Sequence, residues 1–200
     1  MTRRAPGRTR RVVFGAAAAG ALVVGGAVAA VQALAAPAEP VIPVVCVDGV
    51  PHEDASVAGF RGEQLHNAVA IMAAGHELGL GFDTQRLGVM AAMGESGLRN
   101  IDYGDWETSG QGNPDGTPTS SIGLFQQQEW WGSAEERMDP HTAASRFYAR
   151  LAQTAGWQQL EPSHAIHRVQ INDDPNHYSR WERASIDVAA ALTAGGCLIP

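Results

Sequence analysis

The chain has no lysine: all fourteen of its basic residues are arginine, and five of these (Arg3, Arg4, Arg8, Arg10, Arg11) fall in the first eleven positions. Every one of the 21 acidic residues lies at Glu39 or beyond, so removal of the basic leader takes the net charge from −7 to −12. Nine scattered arginines on so acidic a domain are a poor match to a phosphate backbone, which excludes nucleic acid as the expected partner. Cysteine occurs only twice and no CxxC or HExxH spacing is present, so a structural zinc site is not expected, and no metal or cofactor is. Period-two alternation of apolar residues is almost absent, which argues against a sandwich or barrel. Two hundred residues leave room for one domain of ordinary size beside an export segment.

That segment is legible. Residues 1–11 form a basic stretch, and residues 12–35 are an uncharged run of Ala, Val, Gly and Leu that ends in small residues at Ala33-Leu34-Ala35. This is the layout of a secretory signal. The run is also long enough, at about 1.5 Å per residue, to cross a bilayer, so a signal peptide and a retained N-terminal anchor are both open readings. Either way the arginines stay inside and the rest is exported, secreted or held at the cell envelope, with membrane contact only through this segment. Residues 36–43, with three prolines, read as an extended linker.

Export changes how the cysteines are read, because an oxidising compartment lets a disulfide persist. Cys46 and Cys197 stand near the two ends of the exported region, the arrangement of a clasp joining the termini of one domain. Such a bridge would close about 150 residues and contribute several kcal/mol through the unfolded state. Two separate thiols are the alternative.

From residue 44 to residue 200 the pattern is helical. Leu65, Ala68, Val69, Met72 and Ala73 recur at spacings of three and four, with Gly79 placed to stop the helix. A second helix is expected from Asp83 or Thr84 as N-cap through Leu87, Met90, Ala91 and Met93, ending around Gly94-Glu95-Ser96-Gly97. The stretch from Asn100 to Ser121 is rich in Gly, Asp, Thr, Ser and Pro and reads as a long loop. Ser133 with Glu136 fits a capping box, and Asp139-Pro140 opens a helix that carries Ala143, Ala144, Phe147, Tyr148 and Leu151 inward. Pro162 or Ser163 starts another, and Asp174-Pro175 the last. The expectation is a compact all-α domain of five to seven helices, acting as a monomer.

Glu95 is the residue with chemical promise. It ends a helix rich in Met and Ala, immediately before a polar loop. Partial burial of a carboxyl there raises its pKa, and an acid protonated near neutral pH can donate to a leaving oxygen. Taken alone, a helix-terminal Glu is more often a solvated surface residue.

Two motifs in order add to this. Glu95-Ser96 in MGESGLRN, followed after the loop by SIGLFQQ with Gly123, Leu124, Phe125 and Gln126, resembles the "ES … GLxQ" signature of soluble lytic transglycosylases and goose-type lysozyme relatives. The wider run through WWG, MDP and AASRFY is similar to exported lysozyme-like proteins of high-GC Gram-positive bacteria, over most of the stretch from Cys46 to Cys197.

The resemblance implies a lysozyme-like fold and cleavage of peptidoglycan glycan strands between N-acetylmuramic acid and N-acetylglucosamine. It makes Glu95 the general acid, with Ser96 near it or capping its helix, and Gln126 approaching from the opposite wall. Tyr103 and Trp130 would offer flat faces to sugar rings, one of the Trp130-Trp131 pair being core. A hydrolytic outcome would need a second carboxylate, for which Asp102 and Asp105 are the candidates, with Glu107 close behind. Transglycosylases also carry an aromatic-Asn pair facing the acid; this chain has Val169-Gln170, so Gln170 replaces the polar contact and the aromatic is missing, unless Tyr178 supplies a phenol from farther along.

Three readings follow: a transglycosylase or muramidase; a catalytically weak or inactive glycan-binding module; or a tethered interaction protein using the fold as scaffold. His164 and His167 share a helix face with His177 nearby, a pattern commoner on plain surfaces than in metal sites.

Overall fold

A computed structural model describes residues 44–198. The expected leader and linker, residues 1–43, lie outside the described residues. Among those described, no helix is long and apolar enough to cross a membrane.

The described chain is mostly helical, as the periodicity predicts. Two small hairpins come first: β1 (Cys46–Val47) with β2 (Val50–Pro51), and β3 (Ser56–Val57) with β4 (Phe60–Arg61). Each is closed by a two-residue turn in which both residues have positive φ, Asp48-Gly49 and Ala58-Gly59, the geometry whose twist matches that of paired strands. Strands of two residues are too short to show alternation, so the Asp-Gly dipeptide was the only sequence signal for the first of them.

Helix α1 (Glu63–Glu77) packs against α5 (Pro140–Gln153) and α2 (Phe82–Ser96), and α2 packs in turn against α7 (Glu182–Ala194). The shared core holds Leu65, Ile71, Met72, Met90, Met93, Leu124, Phe125, Phe147, Leu151, Val188 and Leu192. Phe125 and Phe147 stack with centroids 5.2 Å apart. The Tyr148 hydroxyl, donating to Gln85 O at 2.7 Å, reaches the crossing of α1 and α2 only because Gly75 and Gly88 lack side chains there.

Local chemistry fixes the starts of the middle helices. Ser133 and Glu136 make the reciprocal capping bonds at the start of α4 (Ala134–Met138), at 3.2 and 2.8 Å. Asp139 caps α5 by accepting from Thr142 N at 2.8 Å, with Pro140 in the first turn. Helix α6 (Pro162–Gln170) likewise begins at its proline.

Three boundaries differ from expectation. Helix α2 starts after Gly81, two residues before Asp83, and neither Asp83 nor Thr84 caps it. Residues 175–178 are turns, so α7 starts only at Glu182, after a single 3-10 turn at Ser179–Trp181. The Gly-rich loop contains a short helix, α3 (Asp105–Ser109), followed by a tight turn in which Asn113 and Thr117 bond through backbone and side chain. Asp115 accepts there from both the amide and the hydroxyl of Thr117. Short polar side chains satisfying nearby backbone groups order this segment without an apolar face.

Cys46 and Cys197 form a disulfide between the first hairpin and the end of α7, with Cα atoms 5.3 Å apart. A bridge of this kind fits an oxidising, extracytoplasmic environment.

Candidate active-site cleft

Glu95 sits in the last turn of α2, where the helix ends on left-handed Gly97 and its terminal carbonyls are tied off. Leu98 N donates back to Ala92 O at 3.1 Å and Gly97 N to Met93 O at 3.2 Å. From α1, Gln64 donates to Gly97 O at 2.8 Å and buried Asn67 to Leu98 O at 2.9 Å. The turn that presents Glu95 is therefore held by both its own backbone and the neighbouring helix.

The carboxyl has two close partners from distant segments. The hydroxyl of Tyr178, a fully buried residue, donates to Glu95 Oε1. The Gln170 amide also reaches Glu95, while donating to Phe125 O at 2.8 Å. Burial is the largest influence on this carboxyl and lifts its pKa from 4.5 to about 7. The Tyr178 and Gln170 hydrogen bonds pull the other way without offsetting it, and the nearby charge of Asp105 adds to the rise. Burial and the Glu95 charge push the Tyr178 phenol well above its ordinary value, so it stays protonated and keeps a hydrogen to donate to the acid.

Tyr178 gets this close because the residue before the acid is Gly94. A Cβ there would lie 2.4 Å from the phenol ring. The ring is also braced edge-on by His177, whose Nε2 is 3.3 Å from Gly94 O, and the Tyr178 amide donates to Ser163 Oγ at 3.1 Å.

Two cavities meet at Glu95. One, of about 420 Å³, is lined by Trp130, Trp131, Gln128, Gln170, Asn172 and Asp173 together with residues of the 111–121 loop. The other, of about 340 Å³, is lined by Tyr103, Ser96, Arg99, Ile101, Arg180 and Trp181. Glu95, Asp105 and Gln126 belong to both.

Each residue singled out from sequence has a definite place. Gln126, with φ of 45°, closes the GLFQ turn; its amide donates to Gly123 O at 3.1 Å and Tyr103 O at 3.3 Å, which ties the two walls together. Gly104 permits this, since a Cβ would meet Ser121 O at 2.4 Å and Gln126 Oε1 at 2.7 Å. The buried Ser96 hydroxyl is engaged by Leu124 O at 2.9 Å and Ala92 O at 3.2 Å, so it joins the two motifs to each other. Trp130 is 60% exposed beside the first cavity, whereas Trp131 is buried with the Arg150 guanidinium 3.7 Å over its ring. Tyr103, 40% exposed, stands in the second cavity. Asp105 lies on the cleft at the start of α3; Asp102 is exposed and lines neither cavity. Gln127, next to the motif, is buried and donates to Ala143 O at 3.0 Å.

Two further features have roles that the sequence does not show. Arg137 is buried behind the cleft and donates to Ser120 O at 2.6 Å, Gln127 O at 2.9 Å and Gly132 O at 3.1 Å, fixing both ends of the GLFQ turn through carbonyls alone. Asn172 and His167 stand behind Tyr178. The other histidines of this region go elsewhere: His164 to Asn176 at 3.2 Å and His177 to Gly94 O. Among the described residues no group of three or more His, Cys, Asp or Glu side chains could hold a metal ion. No protein-family model matches the chain, and no curated protein matches it.

Proposed function

We infer that this protein is an exported, lysozyme-like enzyme that cleaves peptidoglycan glycan strands between N-acetylmuramic acid and N-acetylglucosamine, as a lytic transglycosylase or muramidase. The observation that carries the reading is a carboxyl raised to about 7 at the meeting point of two open cavities. Near neutral pH a large share of Glu95 is protonated and can give its proton to the glycosidic oxygen as the bond breaks through an oxocarbenium-like transition state. Tyr178 and Gln170 then stabilise the carboxylate that remains. That carboxylate recovers a proton either from the sugar's own 6-hydroxyl, giving a 1,6-anhydro end, or from water. Asp105 is the carboxylate suited to orient such a water, since it lines the cleft beside Glu95. Exposed Trp130 and Tyr103, one in each cavity, are suited to stack on sugar rings on either side of the cleaved bond.

The test is release of soluble muropeptides from purified peptidoglycan by the wild type beside Glu95→Gln, with products separated by mass. Fragments from the wild type alone support the enzyme, and a product about 18 Da lighter than the hydrolysed one identifies transglycosylation. If neither protein cuts while both sediment with the wall, the chain is a glycan-binding module.

A further inference from the structure

Behind the acid runs a chain of four side chains, three from residues 167–178 and the fourth at the end of α2. His167 Nδ1 lies 2.7 Å from Asn172 Oδ1, Asn172 Nδ2 donates to the Tyr178 hydroxyl at 2.8 Å, and that hydroxyl donates to Glu95 Oε1. With the Asn172 amide oriented in this way, the polarity follows from counting hydrogens. A phenol has one proton. With Asn172 Nδ2–H already pointing at the phenol oxygen, the phenol finds an acceptor only in Glu95. If Glu95 carried its own proton on Oε1, two hydrogens would meet between these oxygens and the buried phenol would have nowhere to donate.

We propose that Asn172, oriented by His167, is a positioning residue that directs the Tyr178 proton onto Glu95 Oε1 and so keeps the transferable proton on Oε2. A turned-over Asn172 would offer Oδ1 to the phenol and draw its proton away from Glu95. With its hydrogen on Nδ1, the tautomer that suits the 2.7 Å contact to Oδ1, His167 opposes this, because that hydrogen needs an acceptor and finds Oδ1. The protonated ring carries that hydrogen too, so the direction is the same in both charge states of this tautomer. The catalytic meaning of the arrangement rests on Glu95 being the acid proposed above; the geometry does not.

The test is the titration of Glu95 itself, followed by the ¹³C shift of its side-chain carboxyl in the full chain. The ionisable groups around it stay unaltered: Asp105 on α3, Asp173 beside Asn172, His177 against the Tyr178 ring, and Arg99 and Arg180 in the second cavity. Asn172→Asp keeps size and shape but only accepts, so the phenol turns to residue 172 and Glu95 loses its donor. Its titration is expected to move up by about one unit, tenfold in the protonation equilibrium. Asn172→Leu neither donates nor accepts, leaves Glu95 as the phenol's acceptor, and is expected to titrate within about 0.3 unit of the wild type. Repeating both changes in a Tyr178→Phe background separates relay from charge. There the Asp–Leu difference should fall to less than half, since only the added negative charge remains.

Equal titration of the Asp and Leu variants, or an Asp–Leu difference as large without the phenol as with it, overturns the proposal. A wild type that releases no muropeptides but shows the expected pattern overturns the glycosidase reading and leaves the relay standing.

Discussion

The raised carboxyl of Glu95 should be visible as a pH-dependent cost of folding. Burial takes this group from 4.5 to about 7. Below pH 4.5 the folded and unfolded chains both hold the proton and the group contributes no difference. Between 4.5 and 7 the folded chain keeps a proton that the unfolded chain has released, so stability falls as pH rises; above 7 both chains are ionised and the full cost of the buried charge is present. At about 1.4 kcal/mol per unit the loss approaches about 3 kcal/mol. Glu95→Gln keeps the side chain's size and can still accept from Tyr178, but it does not ionise. Urea unfolding followed by tryptophan fluorescence, with the disulfide intact, should therefore give a stability difference between variant and wild type that is small at pH 4 and grows in favour of Gln by about 3 kcal/mol toward pH 8. All other titrating groups are common to the two proteins and drop out of the comparison. Parallel pH profiles for the pair would refute the claim that this carboxyl is desolvated in the folded protein.

Two further expectations test what surrounds the acid. Gly94→Ala would normally help a helix, yet here its Cβ would come within 2.4 Å of the Tyr178 ring; a net loss of about 1–3 kcal/mol is expected in urea, together with an upward shift of the Glu95 titration as the phenol is pushed away. Replacing Cys46 and Cys197 together by Ser should cost about 2–4 kcal/mol, read as a lower Tm that no longer responds to reducing agent, because the bridge joins residues 151 apart in sequence.

How far the sequence carried depends on the range of the interactions involved. The capping box at Ser133 and Glu136, the Asp139-Pro140 helix start and the inward face of α5 were legible because each is decided within about four residues. The start of α2 at Gly81 was not, since Asp83 satisfies the sequence preference for a cap equally well but lies inside the helix and pairs with Arg86 at 3.4 Å. The polar stretch reads as a loop because it has no apolar face, and its order comes from side chains folding back onto nearby backbone. The segment at Asp174-Pro175 reads as a helix start but closes into turns around Tyr178, whose ring is drawn into the gap left by Gly94.

Short-range pattern alone makes the domain helical, brackets it with two cysteines and puts a glutamate at a helix end before a polar loop. Tertiary structure decided what that glutamate is. Tyr178 is 83 residues from Glu95 and approaches it only because α2 and the segment before α7 pack together with no side chain at Gly94. Gln170 arrives from α6 and Asp105 from α3. A carboxyl's pKa reflects the charges, donors and solvent within a few ångströms, and those neighbours are set by how distant segments fold together.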